Sequence, residues 1–353
     1  MSPTEKRSAI PTPIPRATGL LIIAAENVNP NGDPDRESDP RQRNHDNRGY
    51  ISGVSFKRKL RDLVEEKEGQ VWQTLQSQLN LAANECCILE SRKRGFEEVN
   101  EASEAWRKVL DLIGKDDKGQ AVKNKYWDAR VFGATFLEKG EDAPAAEGRN
   151  TASDRKFIRT GVAHFGIGVS VAPVRIYRDT NTKKASAQES KDRGMAPLAC
   201  RYVEHGVYCM PFFVNPTAAI QSGCTAKDIA LLLSLIKPAY ANTRSVARSH
   251  GIIEVLHAWY AEHNDALGSF SEFEFIEKLT PRRSGSDHQK PSVSGVPLSD
   301  QYTIPNKQTW NADSKFSGEL KAGRLYDLCL ELPDWCQLFK KNGGNENKSA
   351  SGT

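Results

Sequence analysis

Two kinds of chemistry lie side by side between Val28 and Arg61. The first is a run of amides and carboxylates, Asn29-Pro-Asn-Gly-Asp-Pro-Asp35. Asn27, Asn29, Asn31 and Gly32 imitate the odd-numbered ligands and the turn glycine of a calcium-binding loop. The position that needs a closing bidentate Glu is Ser38, and two prolines interrupt the run, so no calcium site is expected. Asp33 and Asp35 would also suit magnesium in phosphodiester cleavage. Against that, Asn-Gly and Asp-Pro build tight turns, because their side chains bond neighbouring backbone and tolerate unusual dihedrals. Turn-building is the preferred reading, and neither a metal ligand nor a catalytic residue is assigned.

The second kind is cationic. Arg36 to Arg61 hold eight Arg/Lys and three Asp/Glu, a local net of +5, whereas the whole 353-residue chain carries +4. Everything outside these 26 residues sums to about neutral. Positive charge concentrated in one short region is the footprint of a phosphate-binding surface. Phe56, Leu60, Leu63 and Val64 recur at helical spacing and define a core-facing stripe. On that helix, about 100° per residue places Lys57, Arg58 and Arg61 on one flank and Lys59 on the other side. Arg41, Arg43 and Arg48 come from the loop just before it. A second basic set, Thr243-Arg-Ser-Val-Ala-Arg248, puts Arg244 and Arg248 four apart, on one face if helical. Phosphate contact and surface salt bridges explain that pair equally well.

Other chemistry finds little support. The seven histidines lack metalloprotease spacing, and only His164, near Arg159, is a candidate RNA contact. There is no Walker loop, dinucleotide fingerprint or nucleophile elbow, so no cofactor and no enzymatic activity are expected. Seven cysteines, an odd count without zinc spacing, read as reduced thiols. Hydrophobic residues at 38% and charged residues at 27% are ordinary for a globular chain. No apolar run approaches the ~18 residues of a membrane span. Met1 to Arg16 lacks the apolar centre of a signal peptide. A cytoplasmic protein with no membrane partner is expected.

The elements that position these residues alternate between strand and helix. Residues 1–17 read as a disordered leader and 341–353 as a disordered tail. Leu20 to Ala25 is an apolar run suited to a central strand. Residues 65–127 read as a mainly helical insertion, with Trp72, Leu75, Leu79, Trp106, Val109, Leu110 and Ile113 on apolar faces. A strand is expected at Arg130-Val-Phe-Gly-Ala134 and a long one from Val162 to Tyr177. Along the latter, Phe165, Ile167, Val169 and Val171 face a core. Gly166, Gly168, Ser170 and Ala172 leave a bare face for a nucleotide or for close packing. A charged loop, Asp179 to Arg193, leads to a strand from Tyr202 to Val214. Thr225 and Asp228 form a capping box for a buried helix, Ile229 to Ile236, and Ile252 to Trp259 closes the series. Strand–helix–strand–strand–helix–strand with insertions is an α+β fold of split βαβ, RRM-like or ferredoxin-like type. Residues 18–260 carry it, and 261–340 form a C-terminal extension of unassigned structure.

Five motifs in one order give the chain a resemblance. They are Asn31-Gly-Asp-Pro-Asp35, Phe56-Lys-Arg-Lys-Leu60, Arg130-Val-Phe-Gly-Ala134, Lys191-Asp-Arg-Gly-Met195 and Thr243-Arg-Ser-Val-Ala-Arg248. Over Gly19 to Tyr260 the chain resembles the Cas-seven family of CRISPR-associated proteins, closest to the Csd-two/Csh-two branch. The resemblance implies an RRM-like palm, a helical finger insertion and a protruding β-hairpin thumb. It implies a non-catalytic scaffold that polymerises along a CRISPR RNA and presents the spacer to target nucleic acid. Partners would be that RNA, its target, further copies of the chain and other complex subunits. By position, Lys57, Arg58 and Arg61 would hold backbone phosphates, with Arg41, Arg43 and Arg48 near them and Arg244 and Arg248 as a second contact. The thumb falls at 136–161, with Arg155, Lys156 and Arg159 reaching outward, or else in the loop Asp179 to Arg193. Two departures stand out: Gly161-Val-Ala163 replaces Gly-Pro-Val, and the extension after Tyr260 is longer than usual for the branch.

Overall fold

The computed structural model describes residues 13–82, 84–91, 125–136, 157–184, 195–242, 251–285, 289–307 and 324–339. Fourteen strands are named here in chain order: β1 (Ala17–Val28), β2 (Gly32–Asp33), β3 (Asp39–Pro40), β4 (Arg48–Ile51), β5 (Gly133–Phe136), β6 (Phe157–Thr160), β7 (Ala163–Phe165), β8 (Gly168–Pro173), β9 (Ile176–Lys184), β10 (Met195–Val214), β11 (Ile252–Glu262), β12 (Arg282–Arg283), β13 (Tyr302–Thr303) and β14 (Leu325–Asp327). Five helices matter below: α1 (Gly53–Glu65), α2 (Gln70–Gln78), α3 (Trp127–Phe132), α4 (Ala226–Ile236) and α5 (Glu272–Leu279).

The central sheet runs β14-β11-β1-β10-β8-β4, with β7 and β9 also paired to β10. Every one of its pairings is antiparallel. β1 lies in the middle and is buried along nearly its whole length, as its unbroken apolar run requires. Alternate residues split between two cores. Leu21, Ile23 and Ala25 join Phe56, Leu60, Trp127, Val131 and the apolar residues of α4 on one face. Leu20 and Ile22 join Trp259, Phe275, Leu279, Tyr302 and Leu325 on the other.

The second core is the work of the extension. α5 and the segment around Tyr302 lie over the sheet, and β14 adds an edge strand beside β11. At its start, His263 and Thr18 share a hydrogen bond of 3.1 Å. The sheet is therefore covered by protein on both faces where these elements lie.

Several expectations change in the structure. Ala17 already opens β1 and Ile14 packs against the main core, so these two residues of the expected leader belong to the fold, while residues 1–12 lie outside the described residues. Arg130 to Phe132 are helical, and the strand begins only at Gly133, whose φ of 82° makes the turn. Arg130 is held there by the two oxygens of Asp228, at 3.0 and 2.7 Å, and Asp228 also serves the Thr225 capping box. That long-range pair overrides the local strand preference. The long strand from Val162 breaks into β7, β8 and β9, laid in succession along one edge of β10.

Its faces are reversed only in part: Phe165 packs against the main core and Val171 against the second, as expected. Gly168, Ser170 and Ala172 are buried, whereas Ile167 is exposed and Val169 and Val171 are half-buried. A Cβ on Gly168 would sit 3.1 Å from the Met210 side chain, so the small residues serve close strand packing. The loop from Asp179 is strand as far as Lys184, zipped to β10 from Met195 onward. Trp106, Val109, Leu110, Ile113, Arg155, Lys156 and the tail lie outside the described residues.

Candidate nucleic-acid interface

α1 is built for one place. Ser52 caps it, its Oγ accepting the Ser55 N–H at 3.2 Å, and the Phe56, Leu60, Leu63, Val64 stripe fills the main core. Gly53 lies so close to β7 that a Cβ would stand 2.3 Å from the Phe165 carbonyl oxygen. The polar loop before it is cross-braced. Asn31 Oδ1 accepts the Ser52 N–H at 2.9 Å, and Asn29 Nδ2 donates to the Ser38 carbonyl at 2.8 Å. Asp33 accepts the Asp35 N–H and lies 3.5 Å from Arg41. The Asp33–Asp35 contact builds a turn, and the others tie the loop to itself and to the start of α1. Among the described residues no group of three or more His, Cys, Asp or Glu is placed to hold a metal ion.

The three cations of the α1 flank have three different surroundings. Lys57 packs its ammonium over the Phe132 ring at 5.4 Å. Burial lowers its pKa, Arg61 lowers it further, and Glu90 opposes both. Arg58 donates to the Glu90 carbonyl at 2.5 Å and lies 3.9 Å from its carboxylate and 4.0 Å from Asp62. Arg61 is buried, its side chain only 4% exposed. Its Nε donates to Asp128 at 3.0 Å, and its Nη1 lies 3.1 Å from Glu90. Lys59 is buried away from this flank.

The loop cations are likewise paired. Arg41 donates to Tyr50 Oη at 3.3 Å, a bond that holds its pKa above the usual arginine value. Arg43 Nε donates to Asp46 at 3.1 Å and Arg48 lies 3.7 Å from the same carboxylate. The Arg43 bond keeps the Asp46 carboxyl below its ordinary range. The local excess of positive charge is thus partly answered inside the fold.

Arg159 and His164 are the remaining candidates among the described residues. Arg159, on β6, donates to the Gln221 carbonyl. His164, opposite Phe213 on β10, lines a cleft of about 530 Å³ with Arg16, Asn215, Thr217 and Glu272. Burial and then Lys57 lower its pKa. Arg244 and Arg248 lie outside the described residues.

Two groups escaped the sequence reading. Asp128 and Glu90 complete the α1 flank, and neither carries a local signal, because Asp128 reaches Arg61 across 67 positions. The other group is at the base of the β9–β10 hairpin. Arg178 and Arg201 converge on Asp39 at 3.1 and 3.2 Å, and Tyr177 stacks on Tyr202 at 5.8 Å. Arg178 accounts for most of the lowering of the Asp39 pKa. The pairing of Tyr177 with Tyr202 follows from hairpin register, which sequence periodicity leaves open.

No curated protein matches the chain. Among solved structures, the chain is similar to a component of a "CRISPR RNA-guided surveillance complex, pre-nicking", with 12% identity and a TM-score of 0.38. That match covers 70% of this chain and 79% of the other. A component of a second CRISPR RNA-guided surveillance complex gives 12% identity and a TM-score of 0.34, over 71% and 70%. The family model described as CRISPR-associated protein Cas7 matches residues 15–298, most of the described fold and the first part of the extension. The chain belongs to the Cas7 family of CRISPR-associated proteins.

Proposed function

We infer that this protein is a non-catalytic backbone subunit that binds CRISPR RNA and polymerises along its spacer within a Cascade-like complex in the cytoplasm. It presents the spacer to target nucleic acid, alongside further copies of itself and other subunits. Family membership over residues 15–298 carries this reading. The β1-α1-β8-β10-α4-β11 order, with β11-β1-β10-β8 adjacent in space, supports an RRM-like palm. Because the extension covers the second sheet face, RNA would run along α1 and the loop before it, not across the sheet as on an RRM. Lys57 and Arg58 lead the phosphate contacts, with Arg41, Arg43 and Arg48 beside them. The β9–β10 hairpin is the better thumb, since its strands pair over nine positions against four for β5–β6. The Csd-two/Csh-two branch remains the preferred placement, on the motif order.

Backbone contacts read no sequence, as a subunit carrying many spacers needs. The test is light scattering after size exclusion, with CRISPR RNAs of two lengths. Particle mass that grows with RNA length is the expected result; a fixed one-to-one particle, or no binding, overturns the filament. Lys57→Ala should weaken binding and reduce the salt slope by about 0.7, the share of one single-strand phosphate. A magnesium-dependent nuclease built on Asp33 is not favoured, because its carboxylate is engaged by Asp35 and Arg41.

A further inference from the structure

We propose that the Glu90 carboxylate stands in for an RNA phosphate on α1, and that Lys57, Arg58 and Arg61 form the phosphate subsite it vacates when RNA binds. The proposal rests on the RNA-binding reading above. Three cations on this flank face three carboxylates, Asp62, Glu90 and Asp128, so the flank is locally neutral. A phosphate arriving there needs one carboxylate to leave.

Glu90 is the one free to go. Its side chain is 54% exposed, against 26% for Asp62 and 1% for Asp128. A single oxygen, Oε2, bridges Arg61 at 3.1 Å and Arg58 at 3.9 Å, the position a phosphate oxygen would take. The Glu90 backbone is tied separately. Its N–H donates to Asp128 at 3.1 Å and its carbonyl accepts from Arg58 at 2.5 Å. Rotation about the side-chain bonds therefore removes the carboxylate without disturbing the segment. Arg61 keeps Nε on Asp128 throughout, and its Nη1 is the atom handed from carboxylate to phosphate.

The exchange predicts a sign. A holder that merely positions the arginines would help RNA binding, whereas a surrogate competes with it. Full-length wild-type protein and Glu90→Gln are titrated into fluorescent single-stranded polyuridine RNA, and thermal unfolding is followed in parallel. Glu90→Gln should bind about two- to fivefold more tightly, the yield of removing one exposed ion pair, with Tm unchanged. Equal or weaker affinity overturns the proposal, and so does a Tm lower by several degrees, which marks the ion pair as structural. If neither protein binds RNA, the RNA-binding reading itself fails and the subsite falls with it. That outcome is distinct, because the first two leave wild-type binding intact.

Discussion

Replacing Asp128 by alanine should cost far more stability than any change to the exposed cations around it. The Asp128 side chain is 1% exposed and accepts three donors: Arg61 Nε at 3.0 Å, the Leu89 N–H at 2.7 Å and the Glu90 N–H at 3.1 Å. Removing it leaves a guanidinium that is 4% exposed with only the half-exposed Glu90 as counter-ion. Breaking one side of a buried pair typically costs about 3–5 kcal/mol, because the other charge is stranded away from water. The orphaned Leu89 N–H adds about 1–3 kcal/mol. A loss of at least about 4 kcal/mol follows, and at about 2–4 °C per kcal/mol for a large domain, Tm falls by roughly 8–16 °C. Calorimetry and urea titration measure both quantities. The control is Glu331→Ala, whose partner Lys307 lies closer, at 2.7 Å, but with both side chains nearly half exposed. It should cost under about 1 kcal/mol. Asp128→Ala no worse than Glu331→Ala would refute the argument that burial, not distance, sets the value of these pairs.

Two further outcomes follow from the fold. Burial is the main cause that holds the pKa values of His164, His205 and His263 below the ordinary histidine value. The unfolded chain therefore takes up protons near pH ~6.5 that the folded chain refuses, and stability rises with pH through the window below that value. Glu262, raised by burial, works in the opposite sense at lower pH. The urea midpoint should fall between pH 7 and pH 6, and a flat or rising midpoint would contradict the assignment. Gly53→Ala places a methyl 2.3 Å from the Phe165 carbonyl oxygen and must push the first turn of α1 off β7. A loss of about 1–3 kcal/mol is expected, with weaker RNA binding because Lys57 moves with the helix. Wild-type stability would show that β7 yields instead.

Local rules accounted for a good part of what the structure displays. Helical spacing identified the buried stripe of α1, and an apolar run identified β1. Thr225 and Asp228 marked the start of α4, because a capping box is a contact between neighbours in sequence. Local rules failed where partners are distant. Arg130 to Phe132 carry strand-like residues but are helical, held by an ion pair to Asp228. The alternation in residues 165–172 was visible, but which face is buried at Gly168 depends on Met210 and Ile51, on neighbouring strands far away in sequence.

The amino-acid order alone determined that cations gather on one flank of α1, since a helical period needs no tertiary information. It also determined β1, α1, α4 and β11, through apolar spacing and turn residues. Only the tertiary structure decided that Arg61 points inward to Asp128 and that Glu90 occupies the flank. The same holds for the extension that closes the sheet's second face. Charge and periodicity are properties of a segment, whereas burial and pairing depend on which other segment arrives against it.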